Sequence, residues 1–373
     1  MTLKSPYPWF GGKSAVAAEI WRRLGQPDAF VDPFLGSAAL ILGRPNYNPN
    51  RHIEIVNDLD GMIVNFWRAV QRDPQAVAHY ADNPIFESDM HARHIWLVTR
   101  KPDITARLEA DPDFFDAKAA GWWVWGQSVW LGGGWCSGRG PWRVADGRLV
   151  RSDADGAGIR RQIPNISETG CGVMRKTLHA SGEAGIRRRI PNVTGRDKGV
   201  ARKTLYASGE EQALVTYLVA LSERFRRVRV VCGSWERLLV PAIVEGLNEQ
   251  LVEKPRLTGV VLDPPYLPID RESRIYTHDS PDVAMEARAW ALAHGDNPSV
   301  RIALCGYEGH FDMPDTWSVF RWRTNGGFAN LGNRQGRANK AREAIWFSPS
   351  CLPPDTKPIQ FSLFDLGDNH VQR

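Results

Sequence analysis

The stretch that most narrows the folds open to this chain is TGVVLDPPYLP, Thr258 to Pro268. Val260, Val261 and Leu262 form a short apolar, largely β-branched run, as expected of a strand buried on both faces. Pro264 has no backbone N–H to give to a ladder, so the strand must stop there. Proline also biases the residue before it, Asp263, toward extended geometry. The result is a stiff loop at the carboxyl edge of a sheet, where open α/β folds take their ligands. It presents the Asp263 carboxylate, the Pro264 carbonyl and the Tyr266 ring.

The flanking sequence alternates helix and strand. SAVAAEIWRRLG places Val16, Ile20, Trp21 and Leu24 on one helical face, and GMIVNFWRAV does the same for Ile63, Phe66, Trp67 and Val70. AFVD and HIEIVND are short strands, and AAGWWVWGQSVW predicts a buried, tryptophan-loaded helix. Further on, EEQALVTYLVALSERF predicts a helix, VRVVC a strand, and ERLLVPAIVEG another helix before the DPPY strand. ARAWALAHG (helix) and SVRIALCGY (strand) follow, and WSVFRWRT with REAIWFSP predicts an antiparallel edge pair. Such alternation predicts an α/β fold with a mostly parallel sheet and helices on both faces.

A chain of 373 residues, 43% hydrophobic, has room for a large catalytic domain and an insertion. The opening MTLKSPYPWFGGK has no apolar signal core, and no run approaches the roughly 18 apolar residues of a membrane span. Five scattered cysteines with no CxxC pair argue for a reducing cytoplasm and against a zinc site or disulfide frame.

Between the two halves the sequence repeats itself. AGIRRQIPNISETGCGVMRKTLHASGE (157–183) recurs as AGIRRRIPNVTGRDKGVARKTLYASGE (184–210), with 18 of 27 positions identical. This window holds eleven Lys or Arg against four Asp or Glu, +7 of a net +5, so the rest of the chain sums to −2. Localised positive charge on an otherwise neutral body fits a nucleic-acid-facing insertion. Two copies rich in turn residues suggest extended arms or hairpins, since a solenoid generally needs three or more units. Arg160, Arg161, Arg187 and Arg188 are the first candidates for DNA contacts. The expected division is 1–131 and 211–350 for the two halves of one catalytic domain, 132–210 for the insertion and 351–373 for a tail.

Three N-terminal stretches place further chemistry at strand ends. PWFGGK sets Trp9, Gly11, Gly12 and Lys13 before a helix, combining close backbone approach, a charge and a stacking face. FVDPFLGSAAL puts Asp32 at a strand end and Gly36 in the turn opening the next helix, which suits an adenosine or amino-acid moiety. IVNDLD ends a strand in Asn57 and Asp58, where a carboxylate can accept both hydroxyls of a ribose. G-x-G-x-x-G and G-x-x-x-x-G-K-[ST] are missing, so a pyrophosphate cofactor is not indicated.

WFGGK, DPFLGSAAL, NDLD and DPPY, in this order, resemble the motifs of the DNA adenine-N6 methyltransferases of the Dam type. That family is the D12 class, with alpha-group motif order. The resemblance covers residues 5–70 and about 255–347, and GGFANLGNRQGRANKAREAIWF is similar to the family's basic stretch before its last strand. It implies a class I methyltransferase fold, Rossmann-like, with an inserted DNA-recognition region. It implies S-adenosyl-L-methionine as cofactor, with Trp9, Lys13, Asp58 and Asp263 as contacts and Asp32, Phe34 and Gly36 on the first cofactor loop. It implies Asp263, Pro264 and Tyr266 as the catalytic, adenine-holding site, double-stranded DNA as partner, base flipping, no metal and no membrane. A restriction-modification setting with a partner endonuclease is open, as are transfer to cytosine N4 or RNA and a non-catalytic DNA-binding role. The repeats match nothing in the family's pattern.

Overall fold

The computed structural model of the chain describes residues 3–7, 9, 11–130, 135–136, 142–145, 148–151, 210–245, 256–265, 282–322 and 343–354. Phe10, Tyr266, both repeat copies with Arg160, Arg161, Arg187 and Arg188, the basic stretch 323–342 and the tail from 355 lie outside the described residues.

The first half supplies α1 (Ala17–Leu24), β1 (Ala29–Asp32), α2 (Ala39–Leu42), β2 (Ile53–Asp58), α3 (Gly61–Arg72), α4 (Pro74–Ala81), α5 (Glu87–Ala110) and α6 (Ala117–Val129). A hairpin follows, β3 (Trp142–Ala145) against β4 (Arg148–Arg151). The second half supplies α7 (Glu210–Phe225), β5 (Val228–Cys232), α8 (Pro241–Val244), β6 (Thr258–Leu262), α9 (Asp282–His294), β7 (Val300–Tyr307), β8 (Ser318–Arg321) and β9 (Glu343–Phe347). Several helices open where side chains satisfy their first amides. Asp60 accepts from Met62 N, Asp73 accepts from Ala76 N with Pro74 beside it, and Asp116 accepts from Ala119 N.

Seven strands join both halves into one sheet, in the order β5-β2-β1-β6-β7-β9-β8. β5, β2, β1, β6 and β7 run parallel, and β9 is antiparallel to β7 and β8. This mixed, mostly parallel sheet bears out the expected Rossmann-like α/β class. Strands on either side of β1 leave in opposite directions, so the β1/β6 boundary is the switch point at which such sheets open a crevice.

Every residue of β1, β6 and β9 is buried, and their side chains alternate between two apolar clusters. Phe30, Val56, Val261 and Ile345 face the helices α1, α3, α4, α6 and α7, while Val31, Ile55, Val260 and Trp346 face α8 and α9. Each such buried side chain stabilises by about 1.5–3 kcal/mol. Trp67 of α3 stacks on Phe225 of α7 at 4.1 Å between ring centroids, so α7 packs back on the first half of the chain.

Two sequence expectations change in detail. ERLLVPAIVEG is not one helix: a 3-10 turn at Trp235–Leu238 ends before the four-residue α8, because Pro241 starts a new helix and cannot continue one. The edge pair forms, but only β8 lies at the edge, while β9 is interior. The structure adds α4 and α5, for which the sequence pattern predicts no element. Pro102 lies inside α5, which runs unbroken through it and whose two faces are too mixed to show a clear stripe.

Candidate active site

Lys13 enters from the loop before α1. A positive φ of 72° at Gly11 turns that loop, and Gly12 N donates to Trp9 O at 3.2 Å. The Lys13 ammonium lies 2.8 Å from Gly11 O and 2.7 Å from Asp263 Oδ1, with the side chain 4% exposed. Burial works to strip this ammonium of its proton, but the Asp263 carboxylate, helped by Cys305 and Glu343, outweighs it and holds Lys13 well above the lysine range. The pair ties the DPPY strand end to the N-terminal glycine loop across the switch point.

Beside it, Asp32 ends β1 at 2% exposure and accepts Phe34 N at 3.1 Å. Burial pushes its carboxyl up to about 7, against the Phe34 amide, and Asp263 and Asp58 push the same way. The loop after Asp32 is bent by two left-handed residues, Gly36 (φ 48°) and the buried Ala38 (φ 57°). A β-carbon at Gly36 would stand 2.8 Å from Trp9 Cδ1 and Nε1, so glycine there is what lets Trp9 lie on the backbone. Tyr7 OH donates to Gly36 O at 2.7 Å and receives the Trp67 indole N–H at 3.2 Å, pinning the same turn from behind.

Asp58, half-buried at the end of β2, accepts Gly36 N on Oδ2 (3.0 Å) and Asp60 N on Oδ1 (2.9 Å). Burial again pushes its carboxyl up to about 7, and the nearby Asp60 carboxylate adds to that. Three carboxylates, Asp32, Asp58 and Asp263, therefore share one edge of the sheet with the buried Lys13 ammonium, and a second ammonium, Lys101, stands on the neighbouring Asp60. An environment that raises carboxyl pKa values through burial and mutual repulsion favours a cationic ligand.

Two contributors have no role in the sequence reading: Asn57, named there only as a strand end, and Trp235. Asn57, 1% exposed, donates to Pro33 O (3.1 Å) and Gly233 O (2.9 Å), clamping the loops after β1 and β5, and its Oδ1 has no hydrogen-bond partner among the described residues. Trp235 stacks on Phe34 with centroids 5.9 Å apart at 23°, giving the crevice an aromatic wall. The signal for Trp235 is its position three residues past the end of a parallel strand. Trp9, Lys13, Asp32, Phe34, Gly36, Asp58 and Asp263 all come together at the carboxyl edge, and Pro264 is buried directly behind Asp263. No group of three or more His, Cys, Asp or Glu among the described residues could hold a metal ion. No helix among them is long and apolar enough to cross a membrane.

Part of the chain is similar to known proteins. DNA N-6-adenine-methyltransferase of Escherichia phage P1 is 27% identical over 97 residues, 26% of this chain and 12% of the phage protein. DNA adenine methylase of Vibrio cholerae serotype O1 is 27% identical over 93 residues, 25% of this chain and 31% of its own length. The chain thus spans under a third of the length of these curated relatives. Residues 9–95, which carry Lys13, Asp32, Gly36 and Asp58, match the family of D12 class N6 adenine-specific DNA methyltransferases.

Proposed function

We propose that this protein is a site-specific methyltransferase that modifies adenine N6 in double-stranded DNA, with S-adenosyl-L-methionine as donor. The observation that carries the reading is the Lys13–Asp263 pair at 2.7 Å, at the switch point, beside two further strand-end carboxylates. The residues suit this cofactor. Asp58 stands where it can accept ribose hydroxyls, and the Asp32, Asp58 and Asp263 carboxylates favour a ligand bearing a sulfonium and an ammonium. Trp9, Phe34 and Trp235 offer apolar faces for an adenosine. The bound cofactor would supply an electrophilic methyl group on a positively charged sulfur.

The chain's own part is to prepare the nucleophile. Adenine N6 is a poor nucleophile because its lone pair is delocalised into the ring. A carboxylate has about four acceptor directions, so the ammonium on Oδ1 fixes the orientation of Asp263 without exhausting its capacity. Asp263 and the Pro264 carbonyl are then a rigid acceptor pair for the two N6 protons, favouring a pyramidal nitrogen with its lone pair aimed at the methyl. Orientation supplies much of the rate, and the negative charge stabilises the nitrogen as it becomes positive. A duplex hides N6, so the base must flip out, at a few kcal/mol. Tyr266 offsets part of this by stacking, about 1–3 kcal/mol per base. In the same reading 132–210 reads the target, with Arg160, Arg161, Arg187 and Arg188 on the DNA, and a partner endonuclease is compatible with it.

Asp263→Ala tests the reading. It should lower methyl transfer by orders of magnitude while duplex binding is retained, with a separate loss of stability because Lys13 is left buried without its carboxylate. Sequencing of modified bases in DNA from cells expressing the parent protein should report N6-methyladenine in a fixed motif. Methylcytosine, methylated RNA or unmodified DNA would each point to one of the other readings, and near-normal turnover by the variant would remove Asp263 from the chemistry.

A further inference from the structure

A lysine outside every motif reaches the ribose end of this site. Lys101 lies in α5, 41 residues beyond Asp60 in sequence, and its ammonium sits 2.8 Å from Asp60 Oδ2 and 3.5 Å from Cys136 O. Asp60 is already committed at its other oxygen, which caps α3 through Met62 N, and its own amide donates to Asp58 Oδ1 at 2.9 Å. Asp58 in turn receives Gly36 N at 3.0 Å. The packing that brings Lys101 here is tight. A β-carbon at Gly61 would stand 2.2 Å from Thr105 Oγ1, and that hydroxyl bonds back to Lys101 O at 2.9 Å. Glycine at the first position of α3 thus lets this turn of α5 seat against Asp60, with Lys101 only 13% exposed.

We propose that Lys101 is a positioning residue: it holds Asp60, and through it Asp58, in place for the cofactor ribose, and ties that end of the site to the backbone at Cys136, where the insertion begins. The proposal rests on the reading of Asp58 as a ribose acceptor. Several groups face Asp58. Asp60 at the head of α3 raises its carboxyl pKa, and Lys101 from α5 lowers it. Asp32 of β1, Tyr7 and Cys232 of β5 stand close enough to feel its charge. Removing the ammonium takes away a positive charge that opposes the effect of Asp60 on Asp58, so the ionised form of Asp58 should be harder to keep near neutral pH.

The experiment titrates S-adenosylmethionine alone into the parent, Lys101→Met, Lys101→Arg and Asp58→Ala by calorimetry from pH 6 to 9. Loss of Lys101 should move the pH midpoint of affinity up by about one unit, so binding is about fivefold weaker at pH 7 and nearly equal at pH 9. Lys101→Arg should restore the parent's midpoint, which a simple packing role would not explain. Hydrogen exchange of the peptide holding Trp135 and Cys136 should slow on cofactor binding in the parent and not in Lys101→Met. An unchanged midpoint and unchanged exchange, with Asp58→Ala weakened, would overturn the proposal alone. Unchanged affinity in Asp58→Ala would instead sink the ribose reading on which it rests.

Discussion

The two ends of β2 carry a carboxylate each, one buried and one half-buried, and the protein treats them in opposite ways. Glu54, at the amino end and 1% exposed, is closed by two arginines. Arg44 Nη1 lies 3.2 Å from Oε1, and Arg224 reaches Oε2 at 2.6 Å and Oε1 at 2.9 Å. The same guanidiniums bond Pro27 O and Ile41 O, and Tyr47 lies 3.7 Å below Arg224. Asp58, four residues on, receives only backbone amides directly, and its carboxyl is pushed up to about 7 by burial and by Asp60. The charge is finished at one end and left in deficit of cations at the other. A closed cluster holds the second half of the chain on the first, and a cation-short cluster is where a cationic ligand lowers the free energy most.

The largest effect should come from opening the closed end. Glu54→Ala leaves Arg44 and Arg224 buried without their carboxylate and should cost about 3–5 kcal/mol in urea unfolding, with little direct effect on cofactor contacts. A loss below about 1 kcal/mol would mean the triad only breaks even and the contrast is one of geometry alone.

Asp58→Asn should invert that pattern. Its amide would meet Gly36 N–H with a donor, so stability falls by about 1–2 kcal/mol, while S-adenosylmethionine affinity falls on the order of tenfold or more. Calorimetry beside chemical denaturation separates the two costs. A stability loss equal to that of Glu54→Ala would make both ends structural.

A third effect, read on cofactor affinity, is one of pH. Asp32 and Asp58 titrate near 7 in the folded protein against about 3.9 in an unfolded chain, so between those values the native state holds more protons. Their contribution to stability is therefore fully present below about pH 4 and is lost as pH rises through about 7. A cationic cofactor favours the ionised carboxylates. Its affinity should rise between pH 6 and 8, with proton release visible as a buffer-dependent binding enthalpy. Affinity flat with pH would place the cofactor's positive charge away from both groups.

Much of this site could be read locally. VVLDPP, AFVDP and IEIVND each end an apolar run in a carboxylate, with proline directly after two of them, and Gly36 sits in the turn that follows β1. Strand termination by proline and the alternation of apolar residues act within a few residues, so they survive in the bare sequence. ERLLVPAIVEG misled because an apolar pattern outweighed the proline within it.

What the sequence determined was the class of sheet, the order of its strand-end motifs and the residues at each end. What only the tertiary structure decided was which charges meet. Arg224 reaches Glu54 across 170 positions, Lys101 reaches Asp60 across 41, and Trp235 stacks on a phenylalanine 201 positions earlier (235 − 34). Such pairings depend on which helix packs against which strand end, through buried apolar area that carries no record of charge. The identical residue type, an acid on β2, therefore becomes a structural clamp at one end and a binding group at the other only once the fold has chosen its neighbours.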